Sequence, residues 1–175
     1  MEEETKKKLS SECIRLLRAV GCDGEVIKHC TAVAELALEI AHRHYNTVNE
    51  ELIFRGALLH DIGRVRSHDI GHGFVGGEIA RELELEENLV RIIQRYVGAG
   101  ITAAEAKEVG LPSVDFMPDT MEEKIVAHAD NLIDGWSRTN IEDEIANFKA
   151  KLGESHPSIK RMITLHKEVM GRSVE

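Results

Sequence analysis

The sequence has few cysteines, prolines and aromatic residues. Its 175 residues include three cysteines, three prolines and only 4% Phe, Trp and Tyr. β-Sandwiches and β-barrels rely on aromatic and β-branched strands, so this composition argues against both architectures. Cys13, Cys22 and Cys30 show no C-x-x-C spacing, which indicates neither a disulfide framework nor a thiolate zinc site. We therefore expect the three cysteines to be buried or half-buried reduced thiols.

Long apolar runs and clusters of positive charge are also lacking. Glu35 and Glu39 interrupt the best apolar stretch, residues 33–41, and the amino-terminal residues lack the basic and apolar segments of a signal peptide. The chain has 22 Lys and Arg against 31 Asp and Glu, a formal net charge of −9. Nucleic-acid affinity depends on clustered Lys and Arg, which this sequence does not contain. The sequence therefore predicts a cytoplasmic protein that binds neither membranes nor nucleic acids.

Apolar residues recur at helical spacing along nearly the whole chain. Leu9, Cys13 and Leu16 begin one such stripe, which Gly21 is suited to end. The polar, glycine-containing segment 63–73 is expected to be a loop, and no segment predicts a strand. We therefore predict one all-α domain over residues 1–175, with helices at about 5–20, 24–44, 49–61, 73–84, 87–97, 102–109, 120–134, 140–152 and 157–170.

Three of the predicted helices begin with a capping signal. Asn49 stands directly before the third helix, where its side chain can accept a backbone hydrogen bond. Thr102 and Thr120 are each followed three residues later by glutamate, at Glu105 and Glu123. This spacing is the capping-box pattern, and it predicts that helices begin at both threonines.

Four residues on predicted inward faces have side chains that bind metals. His29 lies on the apolar face of the second helix, and the pair His60 and Asp61 ends the third helix after an apolar run. Asp130 lies among apolar neighbours on the seventh helix, where an ionised carboxylate is unfavourable unless a charge or a metal compensates it. A divalent cation bound by imidazoles and carboxylates would account for all four residues. His128 precedes Asp130 by two residues, about 200° around the helix, and is expected to face elsewhere.

The tetrapeptide His-Asp-Ile-Gly occurs twice, at 60–63 and at 68–71. The first copy ends an amphipathic helix, whereas the second lies in the polar loop. We therefore expect the first pair to bind a metal, and His68 and Asp69 to be solvated loop residues.

Three parts of the sequence, taken in their order along the chain, resemble the HD-domain superfamily of metal-dependent phosphohydrolases. They are His29, the segment His-Asp-Ile-Gly-Arg at 60–64 and the segment Ala-His-Ala-Asp-Asn at 127–131. Members combine one histidine, an adjacent His-Asp pair and a distant aspartate on an all-α bundle. The resemblance covers about 24–135, the expected metal-binding core, on which helices 140–170 would pack. It implies that one divalent transition metal (Mn, Fe, Co, Ni or Zn) is bound by four ligands, His29, His60, Asp61 and Asp130.

A second metal is in doubt. Superfamily members with two metals add two histidines between the His-Asp pair and the last aspartate. His72 matches the first of them, but Tyr96 stands near the position of the second. A neutral phenol is a poor ligand beside imidazole. His72 and Tyr96 are therefore alternatively expected to hydrogen-bond a substrate phosphate or a water, or Tyr96 simply to pack as an aromatic.

The resemblance further implies hydrolysis of a small phosphorylated substrate, with a nucleotide as the expected class. The metal would activate a water that Asp61 orients or deprotonates, while Arg64 and His72 would stabilise charge on the phosphoryl oxygens. One alternative is a non-catalytic, metal-stabilised module that binds a nucleotide as a sensor. Another is a di-iron oxygenase on the same fold, which needs two metals and is disfavoured by Tyr96. The last two helices are the expected interface of a possible homodimer.

Overall fold

The computed structural model describes residues 1–44 and 47–171. These residues form nine α-helices, one 3₁₀ helix (His60–Val65) and one hairpin of strands β1 (Ile133–Asp134) and β2 (Ser137–Arg138). The α-helices are α1 (Glu3–Val20), α2 (Gly24–Arg43), α3 (Glu50–Leu59), α4 (His72–Glu82), α5 (Glu87–Arg95), α6 (Ala103–Glu108), α7 (Met121–Asn131), α8 (Ile141–Leu152) and α9 (Pro157–Met170). The predicted all-α fold is confirmed. Among the described residues, no helix is both long and apolar enough to cross a membrane.

Local capping chemistry sets several of the helix ends. Gly21 ends α1 in the left-handed conformation, with φ at 96°, and its N–H donates to carbonyls of the last turn. The Asp23 carboxylate accepts from two backbone N–H groups at the start of α2, and the Asn49 side chain accepts from the N–H of Leu52. At Thr102 both halves of the predicted capping box are formed.

The core lies where α2, α3, α5 and α7 meet. Val33, Phe54, Ile93 and Val126, one from each of these helices, are at most 1% exposed. A methyl group on Gly56 of α3 would lie 2.8 Å from the Ile92 side chain, so this glycine permits close packing of α3 on α5. The helix α9 contributes the buried residues Met162 and Leu165 to the same core.

The structure corrects three predictions about secondary structure. The helix predicted to run to residue 134 ends at Asn131, and the chain then forms the β1–β2 hairpin. Ile101 and Phe116 also pair as an isolated antiparallel bridge, so the prediction that the chain contains no strand is wrong. The expected loop at 63–73 is helical at both ends, since the 3₁₀ helix runs to Val65 and α4 begins at His72.

The second predicted capping box is half formed. Thr120 accepts from the N–H of Glu123, as expected. The Glu123 carboxylate, only 3% exposed, instead accepts hydrogen bonds from Arg91 and Arg95 of α5 and from the N–H of Asp119. A buried carboxylate gains more from two guanidinium groups than from one backbone N–H, and the pairs tie α7 to α5.

Candidate metal centre

The His60–Asp61 pair lies where α3 tightens into the 3₁₀ helix. This 3₁₀ helix rests against the first turn of α4 at Gly63, where an added Cβ would lie 1.9 Å from the carbonyl oxygen of His72. It would also lie 2.6 Å from the N–H nitrogen of Gly76. Only glycine permits this contact of two backbones. The glycine of the His-Asp-Ile-Gly segment therefore brings Asp61 next to His72.

Three histidines around this contact are held in the same orientation. In each, Nδ1 lies close to a backbone carbonyl oxygen, which can only accept a hydrogen bond. Nδ1 therefore carries the hydrogen, and Nε2 of the neutral ring carries the lone pair. The pairs are His29 with Gly135 at 2.6 Å, His60 with Ala57 at 2.7 Å, and His72 with Asp69 at 2.5 Å.

The Nε2 atoms of His29 and His60 converge with two carboxylates. They lie 3.3 Å from each other, and Oδ1 of Asp130 lies 3.0 Å from the first and 3.3 Å from the second. Oδ2 of Asp61 lies 4.0 Å from Nε2 of His29. Bonds of about 2.0–2.2 Å to a shared metal separate neighbouring ligand atoms by roughly 2.8–3.6 Å and opposite ones by roughly 4 Å.

This donor set fits a divalent metal. Ligand atoms of His29, His60 and Asp61 lie within 4.8 Å of one another, and Asp130 lies against the same two rings. Two lone pairs and two carboxylates that face one another need a positive charge between them. Imidazole and carboxylate together suit the first-row transition metals.

The pKa values of the ligands also reflect a demand for positive charge. Burial opposes protonation of His60, yet its neighbours Cys30 and Asp130 raise its pKa well above the ordinary value. Burial would raise the pKa of Asp130, but hydrogen bonds with His29 and His60 hold it below its usual range. The position at His60 Nε2 therefore favours a cation, which either a proton or a metal supplies.

Asp61 is held from its other side. Its Oδ1 accepts hydrogen bonds from Arg64 Nε at 3.0 Å and from the Tyr96 hydroxyl at 2.5 Å. Burial alone would raise the pKa of Asp61. The charge of His60 and these two donors together have the larger effect and lower the pKa below its usual value, so the carboxylate stays ionised. Burial and Asp61 raise the pKa of Tyr96 well above its usual value, which keeps the phenol as a donor. Tyr96 thus orients Asp61, a role that no signal in the sequence indicated.

The remaining residues predicted for the site, His72, Arg64, His68 and Asp69, lie at different distances from this centre. His72 Nε2 lies 3.6 Å from Oδ1 of Asp61, too far for a hydrogen bond but on the same side as Tyr96. Arg64 is 32% exposed at the edge of the site. His68 and Asp69 are exposed, as predicted, although the Asp69 carbonyl orients His72.

The two polar neighbours of Asp130 on α7 point away from the centre or bind the backbone. His128 is fully buried and packs edge-on against His166 of α9, with ring centroids 5.0 Å apart, so it faces away from the centre as predicted. Asn131 donates to the carbonyl of Gly98 at 2.7 Å, which ties α7 to the segment after Tyr96.

The centre is open on one side. The His60 side chain is completely buried and Asp61 is 8% exposed, whereas His29 and Asp130 are 18% and 19% exposed. The edge formed by His29 and Asp130 is therefore the side of the centre nearest to solvent, here called the open edge.

Sequence reasoning missed two parts of the site. Gly135, which orients His29, lies in the hairpin that replaced the end of the predicted helix; the Asp-Gly pair at 134–135 is a turn signal that was available. Cys30 lies against His60 and contributes to its raised pKa. Its position next to His29 was the only signal for it in the sequence.

An all-α bundle that gathers one histidine, an adjacent His-Asp pair and a distant aspartate defines a class of metal-binding helical domains. Comparison with known proteins identifies the family within this class. Residues 26–133 match the family model described as the HD domain. The chain therefore belongs to the HD-domain family.

Three curated relatives align with most of the chain. It is 54% identical over 152 residues to an uncharacterised protein of Methanocaldococcus jannaschii, an alignment that covers 85% of this chain and 89% of that protein. It is 36% identical over 167 residues to the tRNA (cytidine(56)-2′-O)-methyltransferase of Picrophilus torridus, covering 94% of this chain and 48% of that enzyme. The enzyme of the same name from Thermoplasma volcanium is 39% identical over 155 residues, covering 89% of this chain and 45% of that enzyme. The chain thus spans about half the length of these two methyltransferases.

Among solved structures, the chain is similar to the HD domain of the L. monocytogenes phosphodiesterase PgpH. The identity is 18% and the TM-score 0.48, over 84% of this chain and 92% of that chain. For the same domain in complex with cyclic-di-AMP the identity is 17% and the TM-score 0.49, over 86% of this chain and 94% of that chain.

Proposed function

We propose that this protein is a metal-dependent phosphohydrolase that cleaves the phosphate ester of a small metabolite, with a nucleotide as the substrate class. The observation that carries the proposal is the convergence of the His29 and His60 Nε2 atoms with the Asp61 and Asp130 carboxylates at an open edge. Membership of the HD-domain family supports the same reaction class.

The residues of the site divide the chemistry between them. A divalent cation held by His29, His60, Asp61 and Asp130 would supply an activated water and positive charge opposite the phosphoryl oxygens. The two oxygens of Asp61 have separate tasks: Arg64 and Tyr96 fix Oδ1, which leaves Oδ2 to face the centre, where it would bind the metal and orient the water.

Arg64 and His72 differ in what they offer a substrate. Arg64 carries permanent positive charge at the edge of the site, so it suits a phosphoryl oxygen. Burial lowers the pKa of His72, and its Nδ1 hydrogen is used by the Asp69 carbonyl, so Nε2 is an acceptor. His72 therefore suits a water or a metal better than the phosphate oxygen that the sequence analysis assigned to it.

The second His-Asp-Ile-Gly segment provides a matched control for the test. Protein purified without chelator or histidine tag is supplied with excess Mn, Co, Ni or Zn and assayed on p-nitrophenyl phosphate, bis-p-nitrophenyl phosphate and nucleotides. We expect hydrolysis that Asp61→Asn reduces by at least about 100-fold, because the carboxylate binds both metal and water. Asp69→Asn, the same change in the exposed segment, should retain the wild-type rate. Equal turnover of Asp61→Asn and wild type would contradict the proposal.

A second candidate is a non-catalytic helical module that supports the activity of another protein. The observation that favours it is that two tRNA methyltransferases match nearly all of this chain with less than half of their own length. A module of this kind would bind the metal and a nucleotide without turnover. Metal and nucleotide binding, with no hydrolysis of any ester at excess metal, would favour this candidate over the first.

A further inference from the structure

Trp136, the single tryptophan of the chain, stands exposed beside the metal centre. Its residue surface is 56% exposed, and it lies at the tip of the β1–β2 hairpin. An exposed indole offers a large aromatic face to a ligand, and this one lies next to the site of the proposed function.

The hairpin tip is joined directly to a metal ligand. The carbonyl of Gly135, the residue before Trp136, accepts the Nδ1 hydrogen of His29 at 2.6 Å. The other nitrogen of the same ring lies 3.0 Å from Asp130. Only the His29 ring therefore lies between the backbone of the hairpin tip and the Asp130 carboxylate. His29 and Asp130 are also the two ligands on the open edge, so the hairpin lies on the side from which a substrate arrives.

A cation accompanies the indole ring. Lys28 Nζ lies 5.1 Å from the centroid of the Trp136 ring and 2.9 Å from a carboxylate oxygen of Glu25. An ammonium group at this distance is attracted by the ring and keeps it oriented.

We propose that Trp136 stacks on the base of the nucleotide whose phosphate lies at the His29–Asp130 edge, with Lys28 beside the ring. The inference rests on the proposed function, in that it takes a nucleotide as the ligand. Aromatic rings stack on every base, because each base presents a π-face, and such stacking corresponds to roughly 5- to 150-fold in affinity. Trp136 would then select nucleotides over phosphorylated sugars that lack a base.

The test compares two ligands that differ only in the base. Calorimetry of the zinc-loaded protein measures the affinity for AMP and for ribose 5-phosphate, each supplied as the phosphonate in which a methylene group replaces the ester oxygen, so that the proposed reaction cannot consume it. We expect AMP to bind at least about fivefold more tightly than ribose 5-phosphate. AMP alone should change the fluorescence of wild-type protein, which arises from Trp136.

Variants at Trp136 separate stacking from folding. Trp136→Ala should remove the preference for AMP and leave the affinity for ribose 5-phosphate within about twofold, whereas Trp136→Phe, which keeps a ring, should retain part of the preference. Val114→Ala, a truncation at another exposed apolar residue, should change neither affinity. Equal binding of the two ligands by wild type, or an unchanged preference in Trp136→Ala, would overturn the inference.

The outcomes also distinguish this inference from the proposed function. Hydrolysis of phosphate esters with an unchanged preference in Trp136→Ala leaves the enzyme proposal intact and removes the role of Trp136. Trp136-dependent binding of AMP without hydrolysis of any ester keeps the role of Trp136 and contradicts catalysis.

Discussion

Replacement of Tyr96 by phenylalanine tests how the metal ligands are held. Tyr96 is 2% exposed, and its hydroxyl donates to the buried Asp61 carboxylate at 2.5 Å. The change deletes one oxygen and leaves Arg64 as the remaining donor to Oδ1. A hydrogen bond to a charged group contributes about 1.5–3 kcal/mol. Loss of a partner that orients a metal ligand typically weakens metal binding about 10- to 100-fold. We therefore expect Tyr96→Phe to bind zinc about 10- to 100-fold more weakly and to be about 1.5–3 kcal/mol less stable without metal.

Calorimetric titration with zinc measures the first quantity, and urea unfolding of metal-free protein measures the second. The control is Ser158→Ala, which deletes another buried hydroxyl, one that lies 2.7 Å from His156 at the start of α9. That variant should lose stability without losing metal affinity. Zinc affinity of Tyr96→Phe within twofold of wild type would refute the conclusion that Tyr96 orients Asp61.

Three further changes have defined outcomes. Gly63→Ala should lower stability by about 3 kcal/mol in urea unfolding, because its methyl group meets the His72 carbonyl. Gly24→Ala is the control and should not lower stability, because open space surrounds that residue. A wild-type unfolding midpoint for Gly63→Ala would contradict the packing argument. The His128 ring, without a hydrogen-bond partner among the described residues, has its pKa lowered to about 3, chiefly by burial. The unfolded chain then binds more protons at this residue, so the free energy of unfolding falls as the pH drops below about 6.5. His128→Phe should reduce this loss of stability between pH 7 and 4.5 by about 2–3 kcal/mol, as measured by urea unfolding. An equal loss in both proteins would contradict the argument. Arg64→Ala should lower kcat/KM on phosphate esters about 100-fold and also weaken zinc binding, because it removes both the charge at the edge of the site and a hydrogen bond to Oδ1 of Asp61. Arg66→Ala should leave turnover and zinc affinity unchanged, and equal rates for the two variants would remove Arg64 from the mechanism.

The helices could be predicted because their signals are local. Periodic apolar residues and the caps at Gly21, Asn49 and Thr102 lie within the elements that they define. Glu123 shows where local reasoning ends. Its carboxylate is drawn to two arginines some 30 residues earlier in the chain, and no spacing within α7 reveals them.

The hairpin after α7 could be predicted only in part. Each of its strands has two residues, too few for an alternating pattern. The Asp-Gly pair at 134–135 is nevertheless a turn signal that argues against helix at that point. Because the hairpin carries Gly135 and Trp136, this error concealed both the residue that orients His29 and the exposed indole.

The four expected ligands could be proposed from the sequence because His29 and Asp130 lie on apolar helix faces and His60 and Asp61 follow an apolar run at a helix end. Their supporting contacts were not. His29, His60 and His72 are oriented by backbone carbonyls, which every residue possesses and which no residue type marks. The hydrogen bond between Tyr96 and Asp61 depends on the fold that brings α5 against the 3₁₀ helix. Tyr96 stands near the position where two-metal members of the superfamily carry a histidine, and nothing in the sequence around it indicated that its hydroxyl would hold Asp61.

The most direct test of the metal centre is the metal content of each chain after reconstitution, measured by elemental analysis with His68→Ala as the matched control for His29→Ala. Wild type and His68→Ala should each retain about one transition metal per chain after dialysis, because the four-ligand site is intact in both. His29→Ala should retain far less, since it loses one of two imidazole ligands. Equal metal content in all three proteins, or no retained metal in wild type with Mn, Fe, Co, Ni or Zn, would contradict the assignment of His29, His60, Asp61 and Asp130 as ligands.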